Sequence, residues 1–541
     1  MNQRQDNSRN LILFIIIAAL ILLVWNYLFP PPPPATTLPE NQTQVVANQT
    51  VESEKLSTSR LISVQTDVFN LHIDEASGDI RDLSFTRHNS TEDENKPFVL
   101  FENSEKNSYI AQSGLINSAD NQYVAVNFTA DKPEYVMNGD TLSVKLTGQA
   151  ENGLTVYKTY NFKQGSYLLD VDYRVENRSG SPIQLNAMYR LLRDDHKPAG
   201  GTQFTQTYTG PVLYTPEGKF EKVPFDDIAK GKAEFVKQTN TGWVGIIQHY
   251  FVSAWIMQAK NQPTVCGAKP CSPDFVKRSK DGLYSAGVLV PLPDLPAQGV
   301  MNIPMKLYAG PQEYAALTQV ADNFQLVKDY GKVHLFASPL FWLLQKLHGL
   351  VHNWGWAIVL LVILVKIVLY PLNAASYKSM AKMRAVAPKL QELKVLYVDD
   401  KMKQQQEMMA LYKREKINPL GGCLPILLQI PVFLGLYWAL LSSVELRQAP
   451  WIGWITDLAR TDPYFILPIV MAGTMFLQTY LSPPPTDPMQ AKMMKIMPVV
   501  FSVMFFFFPA GLVLYWVVNN ILSIAQQWWI NRQIEKASVK A

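Results

Sequence analysis

Residues 11–29 are almost wholly apolar and follow two arginines, Arg4 and Arg9. Such a run is long enough to cross a bilayer, and a signal-peptide core is usually shorter. Trp25, Asn26 and Tyr27 occupy the place where a small-residue cleavage site would lie, and five prolines follow. Residues 1–29 therefore read as an uncleaved anchor, and the Pro/Thr/Asn/Gln-rich residues 30–59 as a solvated linker. The pattern then changes. "QYVAVNFTA", "DTLSVKLTG", "LTVYKTYNF" and "YLLDVDYRVEN" alternate apolar with polar positions, with Gly, Asn and Asp between them. This two-residue period predicts half-buried antiparallel strands. Residues 60–335 are expected to form one large β-sandwich.

Helical spacing takes over at "SPLFWLLQKLHGLVHN", residues 338–353. Leu340, Leu343, Leu344, Leu347 and Leu350 share one face and Gln345, Lys346 and His348 lie off it, which predicts a helix lying flat on a membrane surface. Five further apolar segments follow at 354–372, 421–443, 463–481, 496–508 and 509–530. The fourth is short, about 20 Å as a helix against about 30 Å of hydrocarbon. A locally thinned bilayer is one way to accommodate it. Residues 373–420 predict a helical hairpin around a "VDD" turn, with Met380, Met383, Ala387, Leu390 and Leu393 as the packed stripe. Met402, Met408 and Met409 give it an adaptable surface.

Charge placement orients these spans. Residues 373–420 carry ten Lys/Arg against five Asp/Glu, and the 482–495 loop and the 531–541 tail are also basic. The 444–462 loop holds two Arg against three acidic residues. The positive-inside rule then puts both termini, the hairpin and the 482–495 loop in the cytoplasm, and the β-domain and the 444–462 loop outside. The short tail predicts no extended ribosome-binding arm.

The composition, 48% hydrophobic and 17% charged with a net charge of +4, fits a membrane protein with polar parts and gives no ground for nucleic-acid specificity. A lone "CGAKPC" without a second cluster points to a local disulfide between Cys266 and Cys271 rather than zinc, and Cys423 reads as a small apolar residue. The position that raises a question is Lys366, the one charge in "WAIVLLVILVKIVLY". It either snorkels to a nearby surface or faces a wet cavity inside a helix bundle.

Several stretches carry a family likeness: "YPLNAASYKSMAKM", "NPLGGCLPILLQIPVF", "SSVELRQAPWIGWI" and "TDPMQAKMMKIMPVVFSVMFFFFPAGLVLYWVVNN". They closely resemble the YidC-type membrane protein insertases of Gram-negative bacteria, over residues 350–530. The resemblance implies a polytopic α-helical membrane protein of six spans with a five-helix insertase core. It also implies a periplasmic all-β supersandwich similar to sugar-mutarotase folds. The implied activity is insertion and chaperoning of inner-membrane proteins without ATP, metal or other cofactor. The implied partners are nascent inner-membrane proteins, the Sec translocon, the phospholipid bilayer, and a translating ribosome or targeting factor at the hairpin.

A hydrophilic groove with a basic residue from the first core span is part of that family picture, and Lys366 stands where many relatives have Arg. Gln429, Thr474, Gln478, Tyr515, Asn519 and Ser523 are the polar residues of the other spans that would line it. The alternative is that they join helices by hydrogen bonds. Ile430, Phe433, Leu436 and Phe505 would form the apolar slide toward lipid, or else ordinary packing. Two rivals are weighed. A secondary transporter would also carry polar residues in its spans, but no inverted repeat is evident. An external enzyme would have to rest on Asp194, Asp195 and His196, a run that reads as a polar loop.

Overall fold

The alternating stretches become strands whose inward positions are buried, as in Leu154–Lys163, where every second side chain points into the core. The computed structural model describes residues 59–90, 93, 95–104, 107–150, 153–196, 207–278, 282–415, 424–481 and 488–539. The expected anchor, the linker up to residue 58 and Cys423 lie outside these residues. The chain divides into two compact units: a β unit up to Asp329 that also takes in Ser442–Glu445, and a helical unit from Tyr330 onward.

In the β unit one sheet has nine strands and the other ten. The three strands Thr141–Ala150, Leu154–Lys163 and Leu168–Asn177 are neighbours in the second sheet, each antiparallel to the next. The sheets meet face to face. Phe85 and Phe98 of the first stack on Phe251 of the second, at 5.0 and 4.1 Å between ring centroids, and the Tyr109 and Ser253 hydroxyls are hydrogen-bonded across the gap. Two short helices, α1 (Phe225–Ala229) and α2 (Tyr314–Val320), lie within this unit. Cys266 and Cys271 are joined in a disulfide, their Cα atoms 5.4 Å apart. Asp194, Asp195 and His196 form a turn: Asp194 accepts from the backbone N–H of Ser108 and of His196.

Among the buried charged residues of the sandwich, one lysine is placed to show a pH dependence. Lys158 is fully buried, its Nζ 3.9 Å from Asp79 and 3.4 Å from the Ser113 carbonyl, above the rings of Tyr160 and Tyr173. Burial pulls its pKa down to about 8, against the opposing pull of Asp79 and with a smaller push from Arg81. The unfolded chain therefore holds this proton up to the ordinary lysine value of about 10.4, while the folded chain loses it near 8. Unfolding free energy gains from this residue as pH rises through that window. Lys158→Met is expected to remove the gain, a slope of at most about 1.4 kcal/mol per pH unit. Urea unfolding of the full chain at a series of pH values measures it.

The helical unit begins with α3 (His334–Val351), followed by α4 (Trp354–Val368), α5 (Tyr370–Leu396), α6 (Lys401–Arg414), α7 (Leu424–Leu441), α8 (Ile466–Leu481), α9 (Pro488–Phe505) and α10 (Ala510–Val539). Among the described residues no single helix is both long and apolar enough to cross a membrane. α4 and α5 qualify together but are bent by 67° at their junction. Pro371, in the first turn of α5, fits the break, because it has no N–H with which to carry the hydrogen-bond ladder of α4 across the junction.

Three details differ from the expected pattern. α3 buries Ala337, Phe341, Leu344 and Leu347, while Leu350 points outward. The buried face is therefore rotated from the leucine stripe: Phe341 stacks on Trp354 at the start of α4, and the backbone at Ala337 lies close against Gly435 of α7. α9 starts at Pro488, well before the apolar run, since lysines and methionines extend a helix as readily as leucine does. The hairpin core uses Val386 and Leu390 of α5 against Leu411 and Tyr412 of α6, with Met383, Leu393 and Met408 beside them.

Candidate functional site

The bend after α4 places the start of α5 beside α10, and polar residues from several helices converge there. Lys366, in the last turn of α4, is 6% exposed. Its Nζ donates to Ser523 Oγ at 2.6 Å, so it reaches into the bundle and not toward the near end of its own helix. Among the described residues no carboxylate forms an ion pair with it. Ser523 in turn donates to the Asn519 carbonyl at 2.7 Å. Gln429 of α7 donates to Asn519 Oδ1. On α8, Thr474 accepts from Asn520 Nδ2 at 3.2 Å, and the Leu481 carbonyl at its end accepts from Gln527 at 3.0 Å. Tyr515 is buried and Gln478 half-buried.

The spacing of α10 explains the convergence. Tyr515, Asn519, Ser523 and Gln527 recur every four residues and so lie on one helical face. Gln527 and Asn520 were not among the sequence candidates, although Gln527 simply continues the repeat. Asn373, Ser376 and Tyr377 are also buried on α5. They stood just past the expected span boundary at 372, and nothing in the local pattern marks the bend that folds them back.

An aromatic group adjoins the polar one. Phe433 of α7 lies 6.3 Å from Tyr515 and edge-on to Trp516 at 4.7 Å. Phe505 is buried against Phe508 and Trp516. Leu436 is buried too, whereas Ile430 faces outward at 45% exposure. The four proposed slide residues thus divide into two inside the bundle, one half-buried and one on its surface.

At the opposite end of α4 the 444–462 loop is packed onto the helix start. Asn353 caps α4 by accepting from the Trp356 N–H at 3.1 Å, and its amide donates to the Pro450 and Trp451 carbonyls at 3.2 Å each. Gly355 has no side chain because a Cβ there would overlap the Trp451 indole. Asp462 caps the start of α8, accepting from the N–H groups of Tyr464 and Leu467 at 3.0 and 2.7 Å. Among the described residues no group of His, Cys, Asp or Glu is arranged to hold a metal ion.

The family model for the YidC periplasmic domain matches residues 61–343, and that for the 60Kd inner membrane protein matches residues 346–537. The membrane protein insertase YidC of Neisseria gonorrhoeae is 59% identical over 482 residues, 88% of each chain. The chain belongs to the YidC family of membrane protein insertases. The YidC of Laribacter hongkongensis is 55% identical over 490 residues, 90% of this chain and 89% of that one. A solved structure of an active YidC insertase with its first transmembrane domain resolved is 18% identical, covers 95% of this chain and 98% of that one, and has a TM-score of 0.39. In YidC terms the β unit is the periplasmic domain and the helical unit the inner-membrane part. Membrane proteins are the substrates of a YidC insertase, and membrane lipid is its surroundings.

Proposed function

We propose that this YidC chain inserts and helps fold inner-membrane proteins, alone or with the Sec translocon, through a hydrophilic groove that Lys366 makes electropositive. The reading includes six spans with both termini in the cytoplasm, five of the spans forming the core, and no use of ATP. It rests on charge placement along the sequence and on the family resemblance. The observation that carries it is the buried contact of Lys366 with Ser523, in a polar group drawn from α4, α5, α7, α8 and α10. A cation with no carboxylate paired to it among the described residues is costly in a bilayer unless water or a charged ligand reaches it.

The physical task is to carry a short polar tail across hydrocarbon, at roughly 2–7 kcal/mol for each unsatisfied polar group and more for a charge. A wet groove shortens the dry path, and Gln429, Thr474, Gln478, Tyr515, Asn519 and Ser523 offer replacement hydrogen bonds along it. Lys366 would attract acidic residues of the tail, with a gain of a few kcal/mol less desolvation. Ile430, Phe433, Leu436 and Phe505 would guide the apolar helix outward. The hairpin of α5 and α6, with Leu396 and Met402 exposed at its tip, is the surface for a ribosome or targeting factor.

Photocrosslinking from residues 366, 433 and 505 to a stalled nascent membrane protein tests the groove. Adducts are expected at 433 and 366 while the substrate is in transit, with 505 labelled only if α9 yields to the client. Absence of adducts at both 366 and 433 would refute the reading.

A further inference from the structure

The chain enters the β unit twice. Leu441, the last residue of α7, and Leu446 belong to the helical unit, but the four residues between them, Ser442–Glu445, belong to the β unit. We propose that this segment is an anchor by which the β unit holds the end of α7, with Val444, Glu445 and Lys328 as positioning residues for insertion. The proposal rests on the reading that Phe433 and Leu436 of α7 lie on the client's path, and it does not involve the charge of Lys366.

Each part of the segment is fixed. Ser442, Ser443 and Val444 are buried, and Val444 is part of the main apolar core of the β unit. Glu445 accepts from Lys328 Nζ with both carboxylate oxygens, at 2.8 and 2.7 Å, and from the N–H of Tyr314 at the start of α2, at 3.4 Å. The Ser442 hydroxyl donates to the Asp329 carbonyl at 3.5 Å. Asp329 is in turn paired with Lys222 of the strand Lys219–Lys222, so the receiving side of the anchor is tied to an edge of the ten-stranded sheet.

The chemistry of the hold suits positioning more than stability. Apolar burial has no preferred direction, so Val444 alone would let the segment shift. A buried ion pair adds little net stability over a well-packed apolar pair but demands one geometry, and Lys328 therefore fixes where Glu445 sits. A helix carries a displacement of its end along its length. Phe433 and Leu436 lie between that end and Pro431, within about two turns of Leu441, while Gln429 lies beyond the proline. The anchor is thus expected to set the aromatic part of the path more firmly than the polar part.

A Gly-Ser-Gly-Ser insertion between Leu441 and Ser442 keeps Val444 and the ion pair and slackens only the link to α7. In nanodiscs, hydrogen exchange over the last two turns of α7 is expected to quicken about two- to thirty-fold. Insertion of a neutral-tailed client into proteoliposomes should slow by a similar factor, while the urea midpoint of the β unit stays that of the parent. Val444→Ala, which shrinks the buried anchor, should move exchange and insertion the same way by about two-fold or more, and serves if the insertion variant does not fold. The proposal is overturned if exchange or insertion matches the parent in the variant that folds. It is also overturned if the four-residue insertion lowers the β-unit midpoint, since α7 would then be holding the segment. Photocrosslinking from residue 433 of the parent tests the underlying reading by itself: quickened exchange without adducts there would sink that reading and leave the anchor standing.

Discussion

Lys366→Ala is expected to slow insertion of substrates with acidic translocated tails by about ten- to a hundred-fold, the range set by losing one charge-assisted contact. Substrates with neutral tails should be affected far less. The defect should be functional and not structural, because Ser523 keeps its bond to the Asn519 carbonyl when the lysine is gone and Gln429 still holds Asn519. Lys366→Arg should retain most activity, since charge is preserved, although its planar fork cannot reproduce a single ammonium contact to Ser523 without side-chain adjustment. Insertion into proteoliposomes, compared between acidic and neutral tails, reads the effect. Equal rates for the three proteins on acidic tails would show that the charge takes no part.

Lys328→Ala is expected to destabilise the β unit by about 3–5 kcal/mol, the usual cost of stranding one member of a buried ion pair. The Lys328 side chain is fully buried and its Nζ contacts both carboxylate oxygens of Glu445, at 2.8 and 2.7 Å. Glu313 stands nearby, its pKa raised by burial and then by Glu445. Alanine would leave two neighbouring carboxylates without the cation that contacts Glu445. Lys328→Met with Glu445→Gln should recover much of the loss, because neither then buries a charge. Urea unfolding of the single and double variants gives the coupling between the two positions; an effect of Lys328→Ala under about 1 kcal/mol would mean that water serves the carboxylates instead.

The strands were readable in the sequence because a half-buried sheet imposes its period locally, and Thr141–Ala150, Leu154–Lys163 and Leu168–Asn177 appear within a few residues of the stretches that predicted them. The face of α10 was readable for the same reason. What escaped depended on partners distant in the chain. The outward turn of Leu350 follows from how α3 meets α7, and Lys328 finds Glu445 117 residues later. Asn373, Ser376 and Tyr377 join the polar group only because the chain turns at Leu369.

That turn at Leu369 has a mechanical side. Leu369 donates its N–H to the Val365 carbonyl and accepts from the Asn373 N–H, both at 3.0 Å, so the backbone is hydrogen-bonded on each side of the corner. A swing of the long arm of α5 about that corner would pull on the final turn of α4, where the ammonium group stands three residues before it.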